Sequence, residues 1–159
     1  MEGLVFRRAN DTRVKVDTLA LEQMIAFRQV TARHPEGGGV LLGRFLVDCD
    51  DVVVDEVTVP MPGDRQRRLA FYRSRMPHQR IIDIRWRESQ GTCQYLGEWH
   101  THPESRPTPS CVDLTDWRRR LREDHFASRS ILFLIVGIHE VRGWEGFRHS
   151  LEIHSLRQG

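Results

Sequence analysis

Residues 97–113 read Gly-Glu-Trp-His-Thr-His-Pro-Glu-Ser-Arg-Pro-Thr-Pro-Ser-Cys-Val-Asp and hold the densest group of chemically active side chains in the chain. We predict a β-strand over residues 94–102, ended by Pro103 because proline cannot continue a hydrogen-bonded ladder. Side chains alternate between the two faces of a strand, so His100 and His102 point the same way, with backbones about 6–7 Å apart. Trp99 lies between them, faces the opposite side and is predicted to be core.

Two imidazoles at this spacing can converge on one metal ion, and Asp113 is a third candidate ligand. Ser110 and Asp113 have the spacing of a capping box, which predicts that a helix begins there. A His, His, Asp set leaves the fourth position of tetrahedral Zn²⁺ open to water, as in catalytic zinc sites. Three alternatives stay open. A His-x-His pair on a strand is often incidental, helix initiation alone explains Ser110 and Asp113, and Cys111 is a competing ligand.

The rest of the chain alternates irregularly between strand and helix patterns. We predict strands at residues 6–16, 40–47, 52–59, 131–138 and 147–154, the second and third forming a β-hairpin. Helices are predicted from residue 17 or 18 to near Pro35, over 77–90 and over 110–125. A loop is predicted over 61–75, with a short strand at 68–71. This order favours an α+β fold with a mixed sheet over a regular βαβ series.

Length and composition exclude several classes of protein. A chain of 159 residues predicts a single domain, residues 1–159. The formal net charge of +2 argues against nucleic-acid binding, and no apolar run approaches the ~20 residues of a membrane span. The first residues do not form a signal peptide. The three cysteines form no Cys-x-x-Cys pair, which favours the reducing cytoplasm.

The pattern His-x-His-Pro, six residues, Ser110, two residues, Asp113 resembles the signature of the JAMM (JAB1/MPN+) metallopeptidases. Glu36, placed before a Gly-Gly-Gly-Val-Leu-Leu segment, fits the glutamate that this family carries upstream. The resemblance implies the JAB/MPN fold, an α+β architecture with a mixed, mostly antiparallel sheet flanked by helices. It also implies one Zn²⁺ per chain, bound by His100, His102 and Asp113. Glu36 would be the general base and Ser110 the donor to the oxyanion.

Members of this family are isopeptidases or peptidases that cut after the C-terminal tail of a ubiquitin-like protein. Residues 97–117 resemble in particular the JAB peptidases of bacterial anti-phage (CBASS) operons, which lie beside ubiquitin-activating and conjugating-like proteins. This implies a deubiquitinase-type enzyme that cuts after the C-terminus of a conjugated cyclic-nucleotide synthase (CD-NTase). Two alternatives differ from it. One is a peptidase that processes a sulfur-carrier ubiquitin-like protein, and the other is a non-catalytic MPN-type scaffold.

A basic loop is the candidate for contact with the substrate. Its arginines are Arg65, Arg67, Arg68, Arg73 and Arg75. Planar guanidinium groups suit a carboxylate-rich partner better than ammonium groups do, so we expect an acidic partner to dock there. The run Arg118–Arg120, with Arg122, is predicted to be mainly a solvated helix face.

Overall fold

The computed structural model describes residues 2–67 and 70–159 of the chain. In these residues, the elements in chain order are β1 (Leu4–Arg7), β2 (Arg13–Val16), α1 (Thr18–Ile25), β3 (Gly38–Phe45), β4 (Val52–Val57), β5 (Arg65–Arg67), β6 (Ala70–Tyr72), α2 (Arg75–Glu88), β7 (Gln94–Thr101), α3 (Cys111–Glu123), β8 (Ser130–Val136), β9 (Val141–Phe147), β10 (Ile153–Ser155) and β11 (Arg157–Gln158).

Nine of the described strands form one sheet, in the order β10-β9-β8-β7-β3-β4-β2-β1-β11. The pairs β2–β4 and β7–β8 are parallel and the other neighbours are antiparallel. The outermost strands β10 and β11 are separated only by Leu156, whose N–H donates to the Gly143 carbonyl at 2.8 Å. The last residues therefore join the two edges of the sheet. The predicted α+β fold with a mixed, mostly antiparallel sheet is confirmed.

The two faces of the sheet carry separate apolar clusters. Against one face, helix α1 buries Ala20, Leu21 and Met24 in a cluster that includes Trp99 and Leu134. Against the other face, helix α3 packs Trp117 and Leu121 onto β8 and β9. Trp117 stacks on Phe133 with ring centroids 4.5 Å apart. Trp99 is 1% exposed, so the prediction that it belongs to the core is confirmed.

A β-bulge in β7 decides which face the histidines occupy. Leu41 pairs with Gly97 and Leu42 with Tyr95, so Leu96 is an extra residue on β7. Gly97 adopts φ +148, and a Cβ there would lie 1.8 Å from the Leu132 carbonyl oxygen. Only glycine fits this close approach of two backbones.

Three predicted element boundaries are wrong. The opening strand at 6–16 is two strands, because the chain turns at Arg8–Thr12 with Asp11 at φ 65. Helix α1 ends at Ile25, not near Pro35, because Phe27 turns inward to pack on Trp99 at 6.0 Å between ring centroids. The predicted closing strand at 147–154 is interrupted, because Phe147 ends β9, residues 148–152 turn the chain with Leu151 at φ 59, and Ile153 begins β10.

The predicted loop at 61–75 is more ordered than expected. Strands β5 and β6 form an antiparallel hairpin, which we call the β5–β6 hairpin. The short strand predicted at 68–71 includes Arg68, and residues 68 and 69 lie outside the described part of the chain. Among the described residues, no helix is long and apolar enough to cross a membrane.

Candidate metal centre and cleft

Two imidazoles meet at the carboxyl end of β7. The Nε2 atoms of His100 and His102 lie 3.0 Å apart, and the side chains are 11% and 10% exposed. His102 stands one residue beyond the strand, and its N–H donates to the Val136 carbonyl at 3.0 Å. That backbone bond keeps the alternation of β7 past its last residue. Both rings therefore project on the α3 side of the sheet.

Helix α3 brings a carboxylate to the same point. Asp113 places Oδ1 3.2 Å from His100 Nε2 and Oδ2 3.1 Å from His102 Nε2. Its position is fixed by the capping box, because Ser110 Oγ accepts the Asp113 N–H and Asp113 Oδ2 accepts the Ser110 N–H. Helix initiation and convergence on the imidazoles are thus compatible roles for these two residues. The two histidines hold the pKa of Asp113 well below its usual value, against the opposing effect of burial.

Outside the pair of rings, Glu104 contacts His102. Glu104 Oε1 lies 2.8 Å from His102 Nδ1. A carboxylate there favours the tautomer with a proton on Nδ1, which leaves the Nε2 lone pair pointing into the site. Burial lowers the pKa of His102, but its hydrogen bonds with Asp113 and Glu104 outweigh burial and raise it.

Glu36 stands beside the imidazoles, immediately before β3. Its carboxylate Oε1 is 4.0 Å from His100 Nε2, and the side chain is 6% exposed. Burial raises the pKa of Glu36 to about 7, although His100 and His102 oppose that shift. Its backbone N–H donates to the Arg67 carbonyl of the β5–β6 hairpin at 2.5 Å. Glu36 is therefore an acid–base group poised near neutral pH in a buried setting.

These donors fit a zinc ion. Histidine nitrogen and carboxylate oxygen are among the donors that Zn²⁺ takes in proteins, usually four in a tetrahedron. Atoms of Glu36, His100 and His102 lie within 4.8 Å of one another, and Asp113 lies closer still to both imidazoles. Of the two carboxylates, Asp113 fits the third ligand position because it touches both rings. Glu36 stands farther away, with its Oε1 4.0 Å from His100 Nε2.

An open cleft of about 850 Å³ lies over this centre, between the β5–β6 hairpin and helix α3. Its lining includes Glu36, Phe71, His100, Ser110 and Asp113. A second cavity of about 470 Å³ continues from it and shares Arg73, Arg119 and Arg120. The reactive groups are thus open to a substrate at one end of a longer groove. Cys111 also lines the cleft and is exposed, but the carboxylate of Asp113, not the Cys111 thiol, contacts the imidazoles.

The predicted substrate-binding arginines fall into different places. Arg65 and Arg67 are exposed on β5, and Arg75 is exposed at the start of α2, where it lines the second cavity. Arg73 is only 9% exposed, and its guanidinium lies 2.7 Å from Glu98 Oε1. Its charge is therefore already paired inside the groove wall. Arg68 lies outside the described residues.

Arginines of α3 that were predicted to form a solvated helix face also line the cleft. Arg119, Arg120 and Arg122 are among its lining residues, and Arg120 pairs with Glu98 at 3.3 Å. Helical spacing could have predicted this position. Asp116 and Arg120 follow Asp113 by three and seven residues, so they lie on the same face of the helix. Glu98 was missed too, although it precedes His100 by two residues on β7.

Known proteins resemble this chain in sequence and in fold. The family model described as prokaryotic homologs of the JAB domain matches residues 19–149. A protein of Vibrio cholerae named CD-NTase/cGAS isopeptidase is 38% identical over 138 residues, 84% of this chain and 82% of that protein. Proteins of the same name match in Pseudomonas aeruginosa, at 38% identity over 128 residues (80% of this chain and 79% of that protein), and in Escherichia coli, at 29% over 158 residues (99% and 96%). A solution structure from Desulfitobacterium hafniense is 22% identical and has a TM-score of 0.58, covering 91% of this chain and 90% of that one, which supports the fold alone.

Proposed function

Because the chain belongs to the family of prokaryotic homologs of the JAB domain, we propose that it is a zinc-dependent isopeptidase that releases a CD-NTase from its conjugates in a bacterial anti-phage (CBASS) system. One observation carries the proposal. Two imidazoles and a carboxylate converge within 3.2 Å, while a second, buried carboxylate stands 4.0 Å away. That arrangement separates a set of ligands from a general base, as metal-assisted hydrolysis of an amide requires.

In this proposal His100, His102 and Asp113 hold one Zn²⁺. When bound, Zn²⁺ supplies Lewis acidity, which acidifies water and polarises the scissile carbonyl. Glu36 takes a proton from the attacking water at its carboxylate and then delivers that proton to the leaving amine nitrogen. Burial raises the pKa of Glu36, and this favours both steps, because the group must accept and then release a proton.

Ser110 is proposed to stabilise the charge that develops on the carbonyl oxygen. Its Oγ lone pair accepts the Asp113 N–H at 3.1 Å, so the hydroxyl proton stays available for donation. The side chain is exposed at the edge of the cleft, and the capping box fixes its position. Losing one such donor costs roughly 10²–10³ in rate in comparable sites.

The substrate assignment rests on the printed names of the relatives, which are CD-NTase/cGAS isopeptidases. We propose that the C-terminus of a conjugated CD-NTase, or a ubiquitin-like tail, occupies the cleft between the β5–β6 hairpin and α3. A ubiquitin-activating and conjugating-like protein would form the conjugate. The exposed Arg65, Arg67 and Arg75 are proposed to contact acidic groups of that partner, while the ion pair of Arg73 with Glu98 shapes the groove wall.

The test is a cleavage assay on a CD-NTase conjugated through its C-terminus to a lysine, with Glu36→Gln as the variant. We expect kcat to fall at least about 100-fold, the lower end for a general base, while zinc content by mass spectrometry stays at one ion per chain. Glu152→Gln, at a side chain that is 65% exposed, is the matched control and should behave as wild type. Wild-type cleavage by Glu36→Gln would refute the assignment of the base. Cleavage of a sulfur-carrier fusion in place of the CD-NTase conjugate would refute the substrate.

A further inference from the structure

A buried chain of hydrogen bonds joins Thr58, His78 and Asp64, away from the metal centre. His78 Nδ1 lies 2.7 Å from Thr58 Oγ1, and His78 Nε2 lies 2.7 Å from Asp64 Oδ2. The side chains of His78 and Asp64 are 0% and 1% exposed. These residue types form catalytic relays in other hydrolases, but this burial keeps any substrate away. Any effect of this chain of bonds on the reaction must therefore pass through the helix, hairpin and sheet that it joins.

Every polar side-chain atom of these three residues has a hydrogen-bond partner. Asp64 Oδ2 accepts the Met61 N–H at 2.8 Å and also faces His78 Nε2. His78 Nδ1 faces the Thr58 hydroxyl, and Thr58 Oγ1 accepts the Val40 N–H at 2.8 Å. The buried polar groups of the chain of bonds are therefore paired with one another and with the backbone.

At one end of these hydrogen bonds, Asp64 holds the β5–β6 hairpin. Asp64 directly precedes β5, and its Oδ1 accepts the Ser74 N–H beyond β6 at 2.7 Å. One carboxylate therefore ties both legs of the hairpin to each other and to His78 on α2. The other end is part of the sheet, since the Thr58 carbonyl accepts the Trp99 indole N–H at 2.8 Å. The hairpin is anchored to the β7 strand that carries His100.

The anchored hairpin in turn contacts the general base. Glu36 donates its N–H to the Arg67 carbonyl, and Gln66 Nε2 approaches the Glu36 carbonyl at 3.5 Å. Phe71 covers Gly38, where a Cβ would lie 2.5 Å from the Phe71 ring. The sheet itself bonds the neighbouring Gly37, whose N–H donates to Thr101 Oγ1 at 2.9 Å. The backbone N–H of Glu36 is therefore held by the hairpin and not by the sheet.

We propose that His78 is a positioning residue of the reaction, which acts through Asp64 and the β5–β6 hairpin to fix the Glu36 carboxylate beside the imidazoles. The proposal rests on Glu36 being the general base of the proposed isopeptidase. It predicts that breaking either bond of His78 disturbs Glu36 while leaving the metal ligands in place. A displacement of about 1 Å in such a group can cost up to roughly 100-fold in rate.

Two nearly isosteric variants test this without opening a large cavity. Thr58→Val removes one hydroxyl, and Asp64→Asn removes one charge and one acceptor. Ser130→Ala, which removes a 2.7 Å bond to Glu145 at the amino end of β8, is the matched control. In both test variants we expect kcat to fall 10- to 100-fold, with KM and zinc content unchanged. We also expect amide hydrogen exchange at Glu36 to accelerate relative to wild type by a larger factor than exchange at the β8 amides.

The exchange measurement separates positioning from general loss of stability, because a general loss would accelerate the β8 amides equally. Unchanged exchange at Glu36 in both variants would overturn the mechanical link. Faster exchange with wild-type kcat would overturn the positioning role. If Glu36→Gln were fully active, the assignment of Glu36 as the base would fail separately, and exchange at Glu36 in Thr58→Val would still decide whether the hairpin holds that residue.

Discussion

Removing Glu104 should weaken zinc binding, because this carboxylate contacts His102, one of the three proposed ligands. Its Oε1 lies 2.8 Å from His102 Nδ1, so the proton on Nδ1 is held and the lone pair on Nε2 faces His100 and Asp113. Without that partner, the imidazole of His102 is free to change tautomer or to rotate. Ordering the ring on binding then opposes part of the favourable free energy of zinc binding.

The expected size follows from the exposure of Glu104. Loss of such a partner costs 10- to 100-fold in metal affinity. Glu104 is 46% exposed, and water competes for the bond, so we expect the lower end of that range. Glu104→Ala should therefore raise the Kd for zinc about tenfold, or about 1.4 kcal/mol. Glu104→Gln keeps an acceptor but loses the charge, and should cost about threefold.

The assay is a competitive zinc titration against a fluorescent chelator of known affinity. The matched control is Glu140→Ala, which removes a carboxylate that is 48% exposed and lies 3.6 Å from Arg106. It should leave the Kd unchanged. Wild-type affinity in Glu104→Ala would refute the reasoning, because the contact would then have no part in holding His102 for the metal. Equal losses in Glu104→Ala and Glu140→Ala would point to the net charge of the region.

Three further predictions concern stability. Zinc at 100 times its Kd should stabilise the protein by about 2.7 kcal/mol and raise Tm by roughly 5–10 °C. Measured by calorimetry, this shift should be absent in His100→Ala and retained in Glu36→Gln. Trp117→Ala should lower the free energy of unfolding by about 3–5 kcal/mol in urea titrations, since Trp117 is 2% exposed, whereas Trp86→Ala, at a 50% exposed position, should cost far less; equal losses would contradict the stacking on Phe133. Gly97→Ala should cost at least about 1–3 kcal/mol because its Cβ would meet the Leu132 carbonyl, and Gly63→Ala, which has a positive φ but no contact closer than 3.4 Å, should cost less.

Much of the metal centre was predictable because its parts are close in sequence. The alternation of a strand places His100 and His102 on one face, and the capping box places Asp113 in the first turn of α3. Both are local rules, and the structure puts these side chains within 3.2 Å of one another. The roles given to Glu36 and Ser110 came from the resemblance to a family, since no local rule connects residue 36 with residue 100.

The wrong boundaries share one cause, which is that long-range contacts override local patterns. Apolar residues after Ile25 continue a helical spacing, yet Phe27 leaves the helix to pack on Trp99. Residues 147–154 have a strand-like composition, yet Leu151 turns the chain back so that β10 can pair with β9. Such outcomes depend on partners that are far away in the chain, and a local pattern contains no information about them.

By itself, the sequence determined the class of fold and predicted that His100, His102 and Asp113 lie together, because periodicity and capping act over a few residues. Only the tertiary structure decided how Glu36 is held, since its N–H bonds to a hairpin some 30 residues away and that hairpin is tied through Asp64 to His78. It also decided that the charge of Arg73 is paired with Glu98 while Arg119 and Arg122 line the cleft. Burial and the pairing of charges depend on where the whole chain places each group, and no short segment specifies that.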